Sequence, residues 1–266
     1  MMGALATVST GLLYLGLLLA GAWGAALIDR AARHALGGHV SGGMGPLAPL
    51  RSAAAMLIRQ DVTTEAPDRL NRVMAPMIYL TLAGVALAVV PLTGRGALID
   101  SEVGIVIWGS CEALTVIAVF LHGWAPNAPL PLIGAYRYAT IALPVMLPSM
   151  FVLIAAALPA QSLSVTSIVA AQADMWNVLR QPLGLPLFML VGLTLTMRGP
   201  FDYADGADLA QGTSSEESGP ARALWQFARA GMLVAWSAMA TAMFLGGPAG
   251  PVLPGLLWVV LKSVLV

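Results

Sequence analysis

The stretch that decides the fold is ALATVSTGLLYLGLLLAGAWGAALI, residues 4–28, which carries no charged side chain. A bilayer with a hydrocarbon core of ~30 Å is crossed by about 20 such residues in an α-helix. No basic residue precedes the run, whereas a cleaved signal peptide begins with a positively charged segment. The stretch therefore predicts a retained membrane helix.

Six further apolar runs follow and have comparable length. They are Val73 to Thr93, Val103 to Ala125, Leu132 to Leu158, Pro182 to Met197, Ala223 to Gly246 and Gly250 to Val266. Together with the first run they predict an all-α polytopic transmembrane bundle of about seven spans, with residues 1–266 forming a single membrane domain. The fifth and seventh runs are short for a crossing, so we expect them to tilt, to recruit flanking residues or to end inside the bilayer.

Composition excludes the class of water-soluble enzymes. Hydrophobic residues make up 58% of the chain, charged residues only 10%, and the mean hydropathy is +0.82. Globular domains carry roughly 25% charged residues. The 13 basic residues balance the 13 acidic ones, which removes a simple electrostatic reason for binding nucleic acid.

Few residues suit metal or redox chemistry. The single Cys111 cannot form an internal disulfide or hold a metal centre alone. His34 and His39 lie five residues apart in a glycine-rich stretch, where loop histidines are a better interpretation than metal ligands, and His122 is the only other histidine. Nucleotide-binding and hydrolase motifs are missing from the sequence.

The positions of the basic residues predict the orientation of the bundle. When seven spans alternate across the membrane, one side receives eleven of the thirteen, and only Arg95 and Arg180 fall opposite. These eleven are Arg30, Arg33, Arg51, Arg59, Arg69, Arg72, Arg137, Arg198, Arg222, Arg229 and Lys262. Because basic residues are concentrated in cytoplasmic loops, we expect the amino terminus outside.

Two long loops are predicted on the cytoplasmic side. The first, residues 29–72, contains apolar residues at helical spacing between Pro46 and Gln60, which indicates an amphipathic helix in the membrane interface. Two roles for this helix stay open: an ordinary docking helix, or a wall for a lipid-soluble substrate.

The second loop, residues 198–222, concentrates acid. It holds five of the thirteen carboxylates, Asp202, Asp205, Asp208, Glu216 and Glu217. Clustered carboxylates resist simultaneous ionisation when they are partly buried, which lets protons move between them. The alternative is a solvated acidic loop.

Span three carries a carboxylate inside the membrane. Glu112 lies near the middle of the span, where an acid is costly and usually faces a cavity or a partner. Two roles for Glu112 stay open: it carries protons, or it forms a hydrogen bond that serves only helix packing. In span four, Pro144 and Pro148 each remove an internal hydrogen bond, so we expect the helix to kink or open.

Three segments resemble a known family in the same order along the chain. Gly123-Trp124-Ala125-Pro126-Asn127, followed by Gly134-Ala135-Tyr136-Arg137 and Pro148, resembles the G-W-x-x-N and G-A-x-R pattern of subunit 1 of respiratory complex I. The segment Pro200-Phe201-Asp202, with Glu216-Glu217-Ser218-Gly219 after it, is similar to the P-F-D and E-Y-S-G loop of the family. Gly45-Pro46-Leu47-Ala48-Pro49-Leu50 resembles its interfacial helix. The resemblance covers the chain from Gly45 to about Met239.

The resemblance implies a membrane anchor that docks a hydrophilic electron-transfer arm. It implies hydrophilic iron-sulfur and large subunits, either hydrogenase-like or dehydrogenase-like, antiporter-like membrane subunits and lipid as partners, with no nucleic acid. It implies no cofactor bound by this chain alone, with quinone at the interface to partner subunits, and a bacterial or archaeal plasma membrane. The same type of membrane subunit occurs in membrane-bound [NiFe] hydrogenases and formate hydrogenlyases, and Ser218-Gly219-Pro220 is closer to that branch.

Departures from the family pattern bear on proton transfer. Met146 stands where the quinone-reducing branch has an intramembrane glutamate, and Ala204-Asp205-Gly206-Ala207-Asp208 replaces its P-E-A-E run. Glu112 is our candidate for a substitute carboxylate. Because Val266 lies within the family's penultimate helix, we expect the last helix to be missing or supplied by a separate chain.

These patterns give two sets of candidate site residues and no catalytic or metal-ligating residue. The proton-relay candidates are Glu112, Asp202, Asp205, Asp208, Glu216 and Glu217. The partner-docking candidates are Arg51, Arg59, Arg72, Arg137 and Arg198, because guanidinium groups pair with carboxylates of a partner surface. A purely structural anchor without proton traffic and a secondary transporter remain alternative functions, although no internal repeat supports the transporter.

Overall fold

The computed structural model describes residues 2–37, 45–94, 96–206, 212–251 and 253–266, with only the helical backbone of residues 2–7. In these parts the chain forms α-helices, short 3-10 turns and one isolated β-bridge between Thr93 and Gly96. The helices are α1 (Met2–Ala35), α2 (Ala48–Ile58), α3 (Arg69–Ala88), α4 (Gly104–Trp124), α5 (Pro129–Ala157), α6 (Val165–Ala170), α7 (Asn177–Arg180), α8 (Gly184–Leu195), α9 (Gly219–Phe244) and α10 (Gly255–Leu265).

Five described helices, α1, α3, α4, α5 and α9, are long and apolar enough to cross a membrane. This confirms the predicted helical membrane bundle. The fifth and seventh predicted spans are instead the shorter helices α8, with 12 residues, and α10, with 11 residues. At ~1.5 Å per residue, neither crosses a core of ~30 Å alone.

Proline and glycine account for the two short helices. Pro182 disfavours the helical conformation of the preceding residue, and Gln181 has φ −140° and ψ 81° at the end of α7. Between α9 and α10, Gly246 and Gly247 adopt positive φ angles of 70° and 53°. The chain therefore turns at both places instead of extending one long helix.

Helix α9 lies at the centre of the bundle and contacts α1, α2, α3, α8 and α10. Aromatic rings join it to its neighbours. The ring of Trp236 lies 5.3 Å from that of Trp108 on α4 and 4.4 Å from that of Phe188 on α8. A Cβ at Gly192 would lie 2.9 Å from the indole of Trp236, so glycine permits this close approach of α8 to α9.

The two prolines of span four do not open the helix. Pro144 and Pro148 both lie inside the continuous α5, as Pro76 lies inside α3. Each proline removes one bond of the helical ladder, and the remaining backbone bonds carry the helix through. Of the two outcomes predicted for span four, a kink or an opening, the continuous helix excludes the opening.

The helix predicted between Pro46 and Gln60 is present as α2, two residues shorter at each end. Among its side chains only Ala48 is buried, whereas Leu50, Leu57 and Ile58 are exposed. The indole of Trp23 donates a 3.0 Å hydrogen bond to the carbonyl of Pro46, which holds the start of α2 against α1. His39 lies outside the described residues.

Lys262 lies at the end of the bundle opposite to the one that the sequence predicted. Its ammonium donates to the carbonyl oxygens of Leu245 at 2.6 Å, Gly247 at 3.0 Å and Ala249 at 2.9 Å. These carbonyls follow the carboxyl end of α9, far from Arg222 in its first turn. Lys262 and Arg222 therefore lie at opposite ends of α9, and the prediction that they share one side of the bundle is wrong.

Candidate functional site

The two long loops meet at one end of the bundle. The hydroxyl of Ser218 accepts a 2.7 Å bond from the amide of Val62 and donates to the carbonyl of Gln60 at 3.2 Å. Gly219 has a φ of +58°, and a Cβ there would lie 3.0 Å from the carbonyl oxygen of Arg59. Only glycine fits this crossing without strain, so the acidic loop is joined to the segment that follows α2.

Asp205 fixes the acidic loop to α9. Its carboxylate accepts from the amide of Ser214 at 3.0 Å, from the hydroxyl of Ser214 at 2.9 Å and from Nη1 of Arg229 at 2.9 Å. Arg229 also donates to the carbonyl of Met197 at the end of α8. Burial raises the pKa of Asp205, while Arg229 and Ser214 oppose the rise.

Beside this pair lie two further buried titratable groups. Nε2 of His122, on the last turn of α4, lies 3.4 Å from Oε2 of Glu217. The imidazole stacks on the indole of Trp225, with ring centroids 3.6 Å apart and planes at 17°. Burial raises the pKa of Glu217 to about 7, an effect that Arg72 opposes and Asp205 reinforces. We call His122, Asp205, Ser214, Glu217 and Arg229 the polar cluster.

Polar side chains continue from the polar cluster into the membrane domain. Tyr79 and Tyr138 both donate hydrogen bonds to the carbonyl of Leu195, at 3.1 Å and 2.9 Å. The ring of Tyr79 lies 5.2 Å from that of Trp225, which contacts His122. On α4, the hydroxyl of Thr115 donates a 2.6 Å hydrogen bond to the carbonyl of Glu112.

Glu112 lies one turn of α4 before Thr115 and faces α5. It is 5% exposed, and its Oε2 accepts a 2.8 Å hydrogen bond from the hydroxyl of Ser149. Ser149 is three residues after Met146, so the two share a face of α5. Glu112 thus meets the part of α5 where the resembled family places its glutamate.

The remaining predicted relay residues are less enclosed. Asp202 is half-buried and Glu216 is exposed, next to the buried Glu217. Asp208 lies outside the described residues. The structure therefore gathers Asp205 and Glu217 in the polar cluster, and it separates Glu112 from them by the two tyrosines.

The predicted docking residues fall into two groups. Arg51 and Arg59 are exposed on α2 and at its end. Arg72, Arg137 and Arg198 are half-buried; Arg72 forms an ion pair with Asp61. Burial lowers the pKa of Arg198.

The residues that complete the polar cluster were not among the predicted site residues. Arg229 lies in a predicted span, and an ionisable residue inside a span is itself a signal of function. His122 also lies at the end of a predicted span, but its partner Glu217 is distant in sequence and only the fold joins them. Tyr79 and Tyr138 likewise lie on different helices, and only the fold brings both of them to the carbonyl of Leu195.

In the described ranges no three His, Cys, Asp or Glu side chains gather in a group that could hold a metal ion. The polar cluster brings together two acids, an imidazole, a guanidinium and one hydroxyl, which suits proton transfer. An apolar groove of about 380 Å³ lies at the other end of α9, lined by residues that include Val169, Pro248 and Leu253.

The helices and the polar cluster define a multi-pass membrane protein with a buried titratable site at one end. Residues 12–266 match the family model described as NADH dehydrogenase. The chain is 31% identical over 229 residues to the H subunit of the NADH-quinone oxidoreductase of Bacillus mycoides, an alignment that covers 84% of this chain and 68% of that protein. It is 32% identical over 238 residues to the corresponding protein of Paramagnetospirillum magneticum, covering 86% of this chain and 70% of that one.

The chain therefore belongs to the subunit 1 family of respiratory complex I, which includes these two proteins. This confirms the resemblance seen in the sequence motifs.

Proposed function

We propose that this chain is the membrane subunit on which the hydrophilic arm of a complex I-like oxidoreductase docks, and that the polar cluster relays protons beneath the arm. The observation that carries the proposal is the meeting of both long loops at one end of the bundle, beside the half-buried Asp205 and the buried Glu217. That end presents exposed arginines outward and titratable groups inward.

Docking is assigned first to Arg51 and Arg59. Both guanidinium groups are exposed, so they are available to carboxylates of a partner surface. Arg72, Arg137 and Arg198 are half-buried, so we assign them a supporting role in docking. The partners are hydrophilic iron-sulfur and large subunits, with antiporter-like membrane subunits beside the bundle in a bacterial or archaeal plasma membrane.

The relay runs from the polar cluster toward Glu112. Glu217 and Asp205 take up protons at the loop end, the hydroxyls of Tyr79 and Tyr138 continue the path, and the hydroxyl of Thr115 leads to Glu112, whose carbonyl it binds. Met146 stands where the quinone-reducing branch has a glutamate, and Glu112 takes the place of that missing carboxylate. Its side chain binds Ser149, which lies on the same face of α5 as Met146. Asp202, Asp208 and Glu216 extend the acidic surface outside this path.

Quinone is the electron acceptor that the family relationship favours. The relatives in Bacillus mycoides and Geobacillus kaustophilus both bear the name of an NADH-quinone oxidoreductase. The acceptor would lie between α2 and the hydrophilic subunits, where the exposed Leu50, Leu57 and Ile58 offer an apolar wall.

A membrane-bound hydrogenase or formate hydrogenlyase is the second candidate. Two residues favour it: Met146 in place of the glutamate, and Pro220 after Ser218-Gly219. In such a complex the same surface would dock a proton-reducing subunit without quinone.

Purification of the tagged chain from native membranes in a mild detergent tests the proposal. We expect iron-sulfur and large subunits to copurify with the chain in equal amounts. The double variant Arg51→Glu, Arg59→Glu should lose these subunits. Glu102→Gln, at the opposite end of the bundle, should retain them. Four metal-ligating cysteines in the large subunit would identify the hydrogenase branch, and their absence the quinone branch. A chain that purifies alone and moves solute in vesicles would overturn the proposal.

A further inference from the structure

His122 and Glu217 are two buried titratable groups that face each other with spare hydrogen-bonding capacity. His122 is 0% exposed and Glu217 is 4% exposed. Within the described parts of the chain, neither ring nitrogen of His122 nor Oε2 of Glu217 has a hydrogen-bond partner. Asp205, by contrast, is fully engaged by Ser214 and Arg229.

A buried polar atom without a partner destabilises the folded state, and three such atoms belong to these two side chains, which approach each other to 3.4 Å. A single proton between the two groups would satisfy Nε2 and Oε2 together. We propose that His122 and Glu217 share one proton and form the proton-accepting site of the relay.

The exchange conserves charge. In one form Glu217 is a neutral carboxyl and His122 a neutral imidazole; in the other the proton has moved from Oε2 to Nε2, leaving a carboxylate and an imidazolium. Both forms have zero net charge. Loss of the proton would leave a charge of −1 and gain of a second a charge of +1, and a buried site disfavours both. The pair therefore exchanges its proton internally at low cost.

Trp225 suits this exchange. Its indole stacks on the imidazole at 3.6 Å, which fixes the ring plane of His122. The face of an indole also attracts a cation, so the stack stabilises the imidazolium form.

Charged groups surround the pair on several elements. Burial is the main cause that raises the pKa of Glu217 to about 7. Around Glu217, basic groups on α3 and α9 oppose this rise and acidic groups on the two loops reinforce it, while one arginine of α9 faces His122. They are Arg72, Arg222, Asp61, Asp205 and Arg229. Because the signs are mixed, the effects of these neighbouring charges on the pair partly offset each other.

The sharing of the proton is tested by nitrogen-15 histidine NMR of the full chain in lipid nanodiscs. The signal of His122 is identified by its loss in His122→Asn, and the exposed His34 serves as an internal reference. As the pH falls and the pair takes up its shared proton, we expect the ring nitrogens of His122 to gain imidazolium character. In Glu217→Gln the midpoint should fall by about one pH unit or more, because interacting sites titrate as a pair.

Glu216→Gln is the matched control, because its side chain is exposed and adjacent in sequence; it should titrate like the native protein. If Glu217→Gln does not fold, Glu217→Asp keeps a carboxyl and should keep the imidazolium. A His122 that stays neutral in the native protein, or that titrates identically in Glu217→Gln, would overturn the proposal. This proposal deepens the proposed relay, but the measurement uses the chain without partners, so its failure leaves docking and the role of Asp205 standing.

Discussion

The carboxylate of Asp205 lies 2.9 Å from Nη1 of Arg229 and ties the acidic loop to the first half of α9. The side chains are 10% and 17% exposed. Because Arg229 also binds the carbonyl of Met197, one guanidinium holds the loop, α8 and α9 together. The loop that the sequence presents as a run of acids is thus anchored through one of its members.

Asp205→Asn should destabilise the chain. Breaking an enclosed ion pair by removing one partner costs roughly 3 kcal/mol, since Arg229 would keep its charge without its counterion. Thermal unfolding in detergent measures the loss. Asp202→Asn, on a half-buried residue of the same loop, is the control, and an equal effect of the two substitutions would contradict the anchoring role of Asp205.

The stability of the protein should depend on pH through Glu217. Its pKa is raised from 4.5 to about 7, so the folded state holds more protons than the unfolded state between these values. Stability therefore falls as the pH rises through this window, by roughly 3 kcal/mol, and is level above it.

Glu217→Gln should remove this fall, because the amide does not ionise. Unfolding midpoints at about pH 5 and about pH 8 compare the two proteins. Glu216→Gln should retain the native pH dependence. A Glu217→Gln protein that loses stability with pH as steeply as the native one would rule out an ionising, buried Glu217.

Lys262→Met should destabilise the end of α9. The ammonium donates to three carbonyls there and compensates the negative end of the helix. Loss of these bonds should cost about 1–3 kcal/mol, measured by thermal unfolding. The neighbouring Ser263→Ala is the control, because the Ser263 hydroxyl has no hydrogen-bond partner among the described residues; similar midpoints for the two variants would refute the capping role of Lys262.

The predicted orientation is tested by cysteine accessibility. Cys111 is buried and is first replaced in Cys111→Ala. In that background an impermeant maleimide added to intact cells should label Glu102→Cys, on the α3–α4 connection, and should label Glu65→Cys only after lysis. The reverse pattern would place the amino terminus in the cytoplasm.

The fold class was predictable from sequence because lipid-facing residues must be apolar along whole helices, as residues 4–28 illustrate. Interruptions of helices were harder to foresee. Pro182 follows the end of a helix, whereas Pro144 and Pro148 lie within one. A proline in the sequence therefore does not by itself mark the end of a helix.

The site was predictable only where its residues are clustered in sequence. Asp205 and Glu217 stood out because they share an acidic loop. His122 lies on a different helix and meets Glu217 only in the folded bundle, and Lys262 reaches the end of α9 by a turn that no local pattern encodes. Contacts between distant helices decide such cases.

Proton translocation by the assembled complex, reconstituted in vesicles, tests the proposed relay most directly. The measured quantity is the number of protons moved per electron transferred, in the native complex and in the complexes carrying Glu217→Gln or Glu112→Gln, with Glu216→Gln as the control. We predict a lower ratio in the first two variants, with all subunits still bound, and the native ratio in the control. A native ratio in both Glu217→Gln and Glu112→Gln would contradict the relay and leave the chain a structural anchor.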